Sequence, residues 1–146
     1  MELITRIINA IVDVHPLHSM TVHFPIALTG VAFFFLLLAL WQKSEALERA
    51  AFFNMVLAVI SVIVAAITGI RDNIVRFEGD APLVGVKLFL AASLFVLTLV
   101  LVVSRWRRSE IVWTPATMVL YLAGYGLSFV LASVLGFLGG VILYGF

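Results

Sequence analysis

The chain of 146 residues carries nine Lys and Arg against eight Asp and Glu; 64% of its residues are hydrophobic and only 12% are charged. Soluble domains are about 45–50% apolar and roughly 25% charged, so this composition and the mean hydropathy of +1.21 indicate an integral membrane protein without a separate soluble catalytic domain. The near-zero net charge excludes a nucleic-acid surface, and the lack of Cys excludes disulfides, iron–sulfur clusters and zinc–thiolate sites.

The first 14 residues, MELITRIINAIVDV, have an amphipathic pattern. On a helix, Leu3 and Ile7 lie on one face, whereas Arg6 and Asp13 lie on the opposite one. Charges interrupt the apolar stretch and no small-residue cleavage site follows, so the segment does not have the pattern of a secretory signal. The pattern predicts a helix over residues 1–14 that lies in the membrane interface.

Four apolar segments follow, and each is long enough to cross a bilayer, which takes about 20 helical residues. They cover residues 19–41, 49–70, 82–103 and 113–144, with polar connectors between them. The sequence therefore predicts an all-α fold, with one transmembrane domain over residues 1–146. That domain is an integral membrane four-helix bundle with an N-terminal interfacial amphipathic helix.

The charges of the connectors predict the orientation. Four spans put both termini and the loop between spans two and three on one side of the membrane. The other side has five Lys or Arg, including the RWRR cluster directly after span three, against three. Lys87 is set aside from this count because it belongs to span three, near whose start it can extend towards the lipid headgroups. The positive-inside rule places this richer side in the cytoplasm. We therefore expect a multi-pass protein of the bacterial inner membrane with both termini in the periplasm.

Span four carries a stripe of small residues, one at nearly every fourth position. Lipid gives helices no hydrophobic reason to associate, so close backbone approach through small residues stabilises membrane bundles. The stripe predicts a helix-packing interface, either within this bundle or against another subunit. Its members are Gly124, Ser128, Ala132, Gly136 and Gly140.

All three histidines lie in one short segment, HPLHSMTVHFPIAL, at the start of span one: His15, His18 and His23. Pro25 lacks a backbone N–H, which predicts a distorted helix beside His23. His23 lies furthest into the span, so it is the first candidate for a ligand, before His18 and His15. A kink next to an imidazole is a suitable place for a ligand, a water or an ion.

The histidines have several interpretations. Two or three imidazoles with Asp13 or Asp72 fit a divalent metal, and one imidazole fits an axial ligand of haem b. Neutral imidazoles near the interface also suit proton or quinone chemistry. The structural interpretation is that they cap the helix and bond to the polar loop. Spans two to four contain no His, so ligands on facing helices are lacking and we expect no cofactor.

Three segments resemble a bacterial family of four-span membrane proteins of unknown function. They are HPLH followed by HFPIAL at residues 15–28, TGIRD at 68–72 and LGGVILYG at 138–145. Members of that family are sometimes fused to cytochrome c or Rieske domains. The resemblance therefore implies a four-span fold and an association with electron transport at the outer face of the membrane.

The sequence favours an accessory or scaffold subunit of a larger electron-transfer or photosynthetic membrane complex. Its expected partners are lipid and other membrane subunits or a second copy of the chain. The alternative is a small electron-transfer protein that holds haem b or a metal at the His15, His18 and His23 cluster. G-x-S-x-G, Walker and H-E-x-x-H motifs are absent, so we do not expect an enzyme.

The predicted orientation can be measured with single cysteines, because the chain has none of its own. Cysteines at Ser44 and Ser109 should resist an impermeant thiol reagent in intact cells, whereas a cysteine at Gly79 should react. The opposite labelling pattern would contradict the assignment and move the histidines to the cytoplasmic side.

Overall fold

The computed structural model describes residues 2–10 and 17–144, with side chains up to residue 141. Throughout this part of the chain the structure is helical with short turns and no strand, which confirms the all-α prediction. Its elements in order are α1 (Glu2–Asn9), α2 (Leu17–Thr21), α3 (His23–Gln42), α4 (Glu45–Phe77), α5 (Val84–Arg107), a 3-10 turn (Ser109–Val112) and α6 (Pro115–Tyr144).

Four stretches are long and apolar enough to cross a membrane, which agrees with the four segments expected from the sequence. They are Leu17–Gln42, Glu45–Phe77, Val84–Arg107 and Pro115–Val141. The second of these spans, α4, extends past the expected end at residue 70, because the polar segment RDNIVRF continues the helix to Phe77. The helix ends where Glu78 and Gly79 take positive φ angles of 54° and 91°.

The four long helices form an antiparallel square. The α3 and α5 helices each pack against α4 and α6, so α3 lies diagonally across from α5, and α4 from α6. The connectors are short: Lys43 ends α3 in the left-handed conformation, and the Ser44 hydroxyl accepts a hydrogen bond from the Leu47 N–H at the start of α4. Short connectors of this kind place consecutive helices side by side.

The bundle interior is filled by residues from all four helices, whereas its outside is apolar and exposed. Tyr125, Leu36 and Met55 are fully buried at the end nearest the α3–α4 connector, and a smaller cluster continues around Leu94. Large apolar side chains such as those of Phe34, Phe53 and Phe89 point outwards on three different helices. Such a surface is not tolerated in water, and a bilayer covers it.

A buried ion pair joins α4 to α5 at the connector end. The Arg105 guanidinium donates to both carboxylate oxygens of Glu48, at 2.5 and 2.8 Å, and Glu48 is only 2% exposed. The guanidinium also lies 5.4 Å from the ring centroid of Phe52. Bidentate geometry and cation–π contact are the conditions under which a buried charge pair is tolerated.

The N-terminal helix α1 has its apolar side chains, including Leu3 and Ile7, exposed. Its charged face is held by an ion pair of 3.2 Å between Arg6 and Glu2. Residues 1 and 11–14 of the expected interfacial helix lie outside the described residues, and the placement of α1 in the interface stays a prediction.

The small-residue stripe of α6 faces mainly inwards. A methyl group added at Gly124 would lie 2.7 Å from Leu101 of α5, and one added at Gly136 would lie 2.5 Å from Ile26 of α3. Ser128 and Ala132 are buried between these two positions. The stripe therefore brings α6 close to both of its neighbours.

Substituting Gly124 by Leu should destabilise the bundle by about 1–3 kcal/mol, because the added side chain overlaps Leu101 and forces α6 away from α5. Val134→Leu is the matched control, since Val134 is on the same helix but exposed. Unfolding in detergent, followed by circular dichroism, measures the difference. Equal stability of the two variants would show that α6 does not pack through this stripe.

Candidate functional site

The end of the bundle opposite the Glu48–Arg105 pair contains a cleft with a volume of about 1320 Å³. All four spans line it: His18 and His23 come from α2 and α3, Gly69 from α4, Lys87 from α5 and Gly140 from α6. Pockets for cofactors and small ligands usually measure about 300–1,000 Å³, so the cleft has room for a large one.

Small and apolar residues form most of the cleft wall. A methyl group added at Gly139 or Gly140 would meet none of the described residues within 4 Å, so α6 leaves open space here. A second cavity of about 60 Å³, almost entirely apolar, continues from the cleft into the core. Five residues line both cavities: Val22, Ala66, Ala91, Leu135 and Gly136.

His18 is fixed by two contacts with α4. Its backbone N–H donates to Asp72 Oδ2 at 2.9 Å, and its ring Nδ1 lies 2.9 Å from the carbonyl oxygen of Ala65. A carbonyl oxygen can only accept, so Nδ1 carries the hydrogen and the Nε2 of the neutral ring keeps its lone pair. This is the arrangement in which a second hydrogen bond orients an imidazole for coordination through its other nitrogen.

Gly69 makes the position of His18 possible. A methyl group at Gly69 would lie 2.9 Å from Cε1 and 3.0 Å from Nδ1 of the His18 ring. Next to it, the hydroxyl groups of Thr21 and Thr68 are 2.7 Å apart and join the same two helices. The TGIRD segment therefore provides the surface of α4 on which α2 rests.

Asp72 has a structural role that argues against its expected place as a metal ligand. Besides the His18 N–H, its carboxylate accepts a hydrogen bond of 2.8 Å from Arg71, and its side chain is buried. Within the described residues, no three His, Asp or Glu side chains come together as a metal site. His15 and Asp13, the other expected ligands, lie outside those residues.

His18 and His23 differ in how far their side chains are buried. The helix is interrupted at Val22, directly before His23 and beside the expected distortion at Pro25. His23 lines the cleft, but its side chain is exposed, whereas that of His18 is partly buried. The order of residues along the chain puts His23 deeper in the span than His18. It does not show that the Ala65 carbonyl holds the His18 ring, because these two residues are 47 positions apart.

Two cationic residues that line the cleft were not among the site residues predicted from the sequence. Lys87 of α5, expected to extend towards the lipid headgroups, is partly buried and lines the cleft. Arg76, near the end of α4, also lines the cleft but is exposed. The signal for Lys87 was present, since a charge inside an apolar span marks a functional position by default. Arg76 lines the cleft because α4 continues beyond the expected end at residue 70 to Phe77.

The comparisons with known proteins give a family. Residues 14–146 match the family described as "Predicted membrane protein (DUF2231)". The chain belongs to this family. Comparison with curated proteins and with solved structures gives no match. As a DUF2231 protein with four apolar helices, the chain is a membrane protein, and its expected membership of a membrane protein family of unknown function is confirmed.

Asp72→Ala should destabilise this DUF2231 protein by about 1–3 kcal/mol, because it leaves the His18 N–H and the Arg71 guanidinium without their acceptor. Asp80→Ala, at an exposed position in the following turn, is the control. Thermal unfolding in detergent measures both variants. An Asp72→Ala protein as stable as the control would mean that α2 is not held to α4 by this carboxylate.

Proposed function

We propose that this protein is a small electron-transfer subunit of the bacterial inner membrane that binds haem b in the cleft, where the His18 imidazole would hold the group. The observation that carries the proposal is the His18 ring. Its Nδ1–H is bonded to a carbonyl, which leaves Nε2 as a lone-pair donor on a side chain that lines a cleft of cofactor size.

The size and lining of the cleft support a large, mostly apolar ligand. The α2–α3 side provides the imidazole, while Gly139 and Gly140 on α6 leave open space, since a methyl group added at either would meet none of the described residues within 4 Å. Ile26, Ala91 and Leu135 make part of the wall apolar. Haem b supplies a reversible one-electron iron couple when bound.

The hydrogen bond between His18 and Ala65 has a defined role in this proposal. It holds the ring in one tautomer and one orientation, and it increases the basicity of Nε2. Gly69 allows the ring to approach α4 closely enough to make that bond. The α4 helix therefore acts as the support of the ligand, although it contributes no ligand itself.

An electron-transfer subunit needs a partner that supplies or accepts electrons. We propose that the partner is another membrane protein, in line with the association that the family resemblance implies. The expected orientation, with both termini in the periplasm, puts the cleft at the periplasmic end of the bundle, because α2 begins and α4 ends there. A cofactor-free scaffold subunit, the function favoured by the sequence, is the alternative outcome of the test.

The test is the absorption spectrum of the full chain purified from membranes of haem-replete cells, with haem quantified as its pyridine complex. We expect a Soret band and about one haem per chain. His18→Gly should lose most of the haem and recover it when imidazole is added, because the free imidazole fills the ligand position. His23→Ala is the matched control in the same cleft and should keep its haem.

A second variant separates loss of the ligand from loss of the fold. Gly140→Leu adds a side chain where a methyl group meets none of the described residues, so the bundle should melt normally while the cleft is filled. We expect this variant to bind no haem. A folded wild-type protein without a Soret band would contradict the proposal and favour the scaffold function.

A further inference from the structure

Lys87 is a cation placed where a membrane helix does not favour one. It lies in the first turn of α5, where the helix dipole already presents partial positive charge, and it is partly buried in a membrane-spanning segment. No ion pair joins it to a carboxylate among the described residues. Both conditions are unfavourable for the protein alone and are relieved by an anion in the cleft.

The charges that line the cleft also favour an anion. Asp72 is the one carboxylate among the described residues that line it, and it already accepts hydrogen bonds from Arg71 and from the His18 N–H. Lys87 brings a positive charge to the same space. The cleft thus combines apolar walls with a cation that no ion pair neutralises among the described residues, which suits an amphipathic molecule that carries an acidic group.

Lys87 and His18 line the same cleft from different helices. His18 lies on α2 and Lys87 on α5, and both of these helices pack against α4. A ligand held by His18 in this cleft therefore has Lys87 in the cleft wall. The flexible side chain of Lys87 can carry its ammonium group towards the polar end of the cleft while its methylene groups stay against apolar residues.

We propose that Lys87 binds a carboxylate of the ligand, and this inference rests on the proposed function, in which that carboxylate is a propionate of haem b. The ammonium group donates charge-assisted hydrogen bonds to the carboxylate in surroundings that screen charge poorly. Lys87 thereby selects an acidic porphyrin over a neutral one and fixes which edge of the ring faces the end of the bundle.

The experiment compares two probes on the full chain prepared without haem: haem b and its dimethyl ester, in which both carboxylates are blocked. Each is titrated in detergent and followed by the Soret band. We expect the wild type to bind haem b about tenfold more tightly than the ester, the effect of one charge-assisted contact. Lys87→Met should lose this preference by weakening haem b alone, and Lys87→Arg should keep it.

Arg49→Met, at an exposed position near the opposite end of the bundle, removes the same charge and should bind both probes like the wild type. If haem b binds but Lys87→Met keeps the preference for it, the inference about Lys87 is overturned and the proposed function stands. A Soret shift in Lys87→Met that reports a changed iron ligand would also overturn it, because Lys87 would then contact the iron. If no protein binds either probe, both proposals fail.

Discussion

Lipid cannot hydrogen-bond, so every polar group inside the bundle needs a partner from the protein itself. The hydroxyl groups of Thr29, Thr98 and Ser128 donate to carbonyl oxygens one turn earlier on their own helices. Among the described residues, no buried side-chain nitrogen or oxygen lacks a hydrogen bond. The few polar contacts between helices therefore decide where the bundle is held together, and their positions differ at its two ends.

At the connector end, polar contacts close the bundle. Arg105 bonds to Glu48, and the hydroxyl groups of Tyr121 and Tyr125 lie 3.1 Å apart in the interior. At the other end, polar contacts through His18, Thr21 and Asp72 join α2 to α4. The N-terminal half of α5 has no buried residue before Leu94. One end is thus a packed core, and the other has an open cleft.

Composition and hydropathy were sufficient to predict the fold of this chain. Four apolar segments separated by polar connectors allow one architecture, since a helix is the form in which a short apolar segment satisfies its own backbone in lipid. The end of α4 was harder to predict, because RDNIVRF is polar and only its continuation to Phe77 shows that it is helical. Polarity marks where a helix leaves the bilayer, and it does not mark where the helix ends.

The site was only partly predictable. The sequence drew attention to the three histidines, but choosing among them depends on contacts between residues far apart in the chain. The carbonyl of Ala65 is 47 positions from His18, and the Asp72 carboxylate is 54 positions from it. A local sequence pattern reveals neither of these two contacts. Lys87 was noticed as a charge in a span, and only the packing of both α2 and α5 against α4 puts it in the same cleft as His18.

The Glu48–Arg105 pair has a consequence for how the protein is assembled during synthesis. Glu48 is on the second span and Arg105 is at the end of the third, 57 residues later. While only α3 and α4 have entered the membrane, Glu48 has to stay at the water-facing boundary, because a lone carboxylate is costly to bury. Its burial has to wait for α5, so the first helical hairpin reaches its final depth and packing only after the third helix has been made.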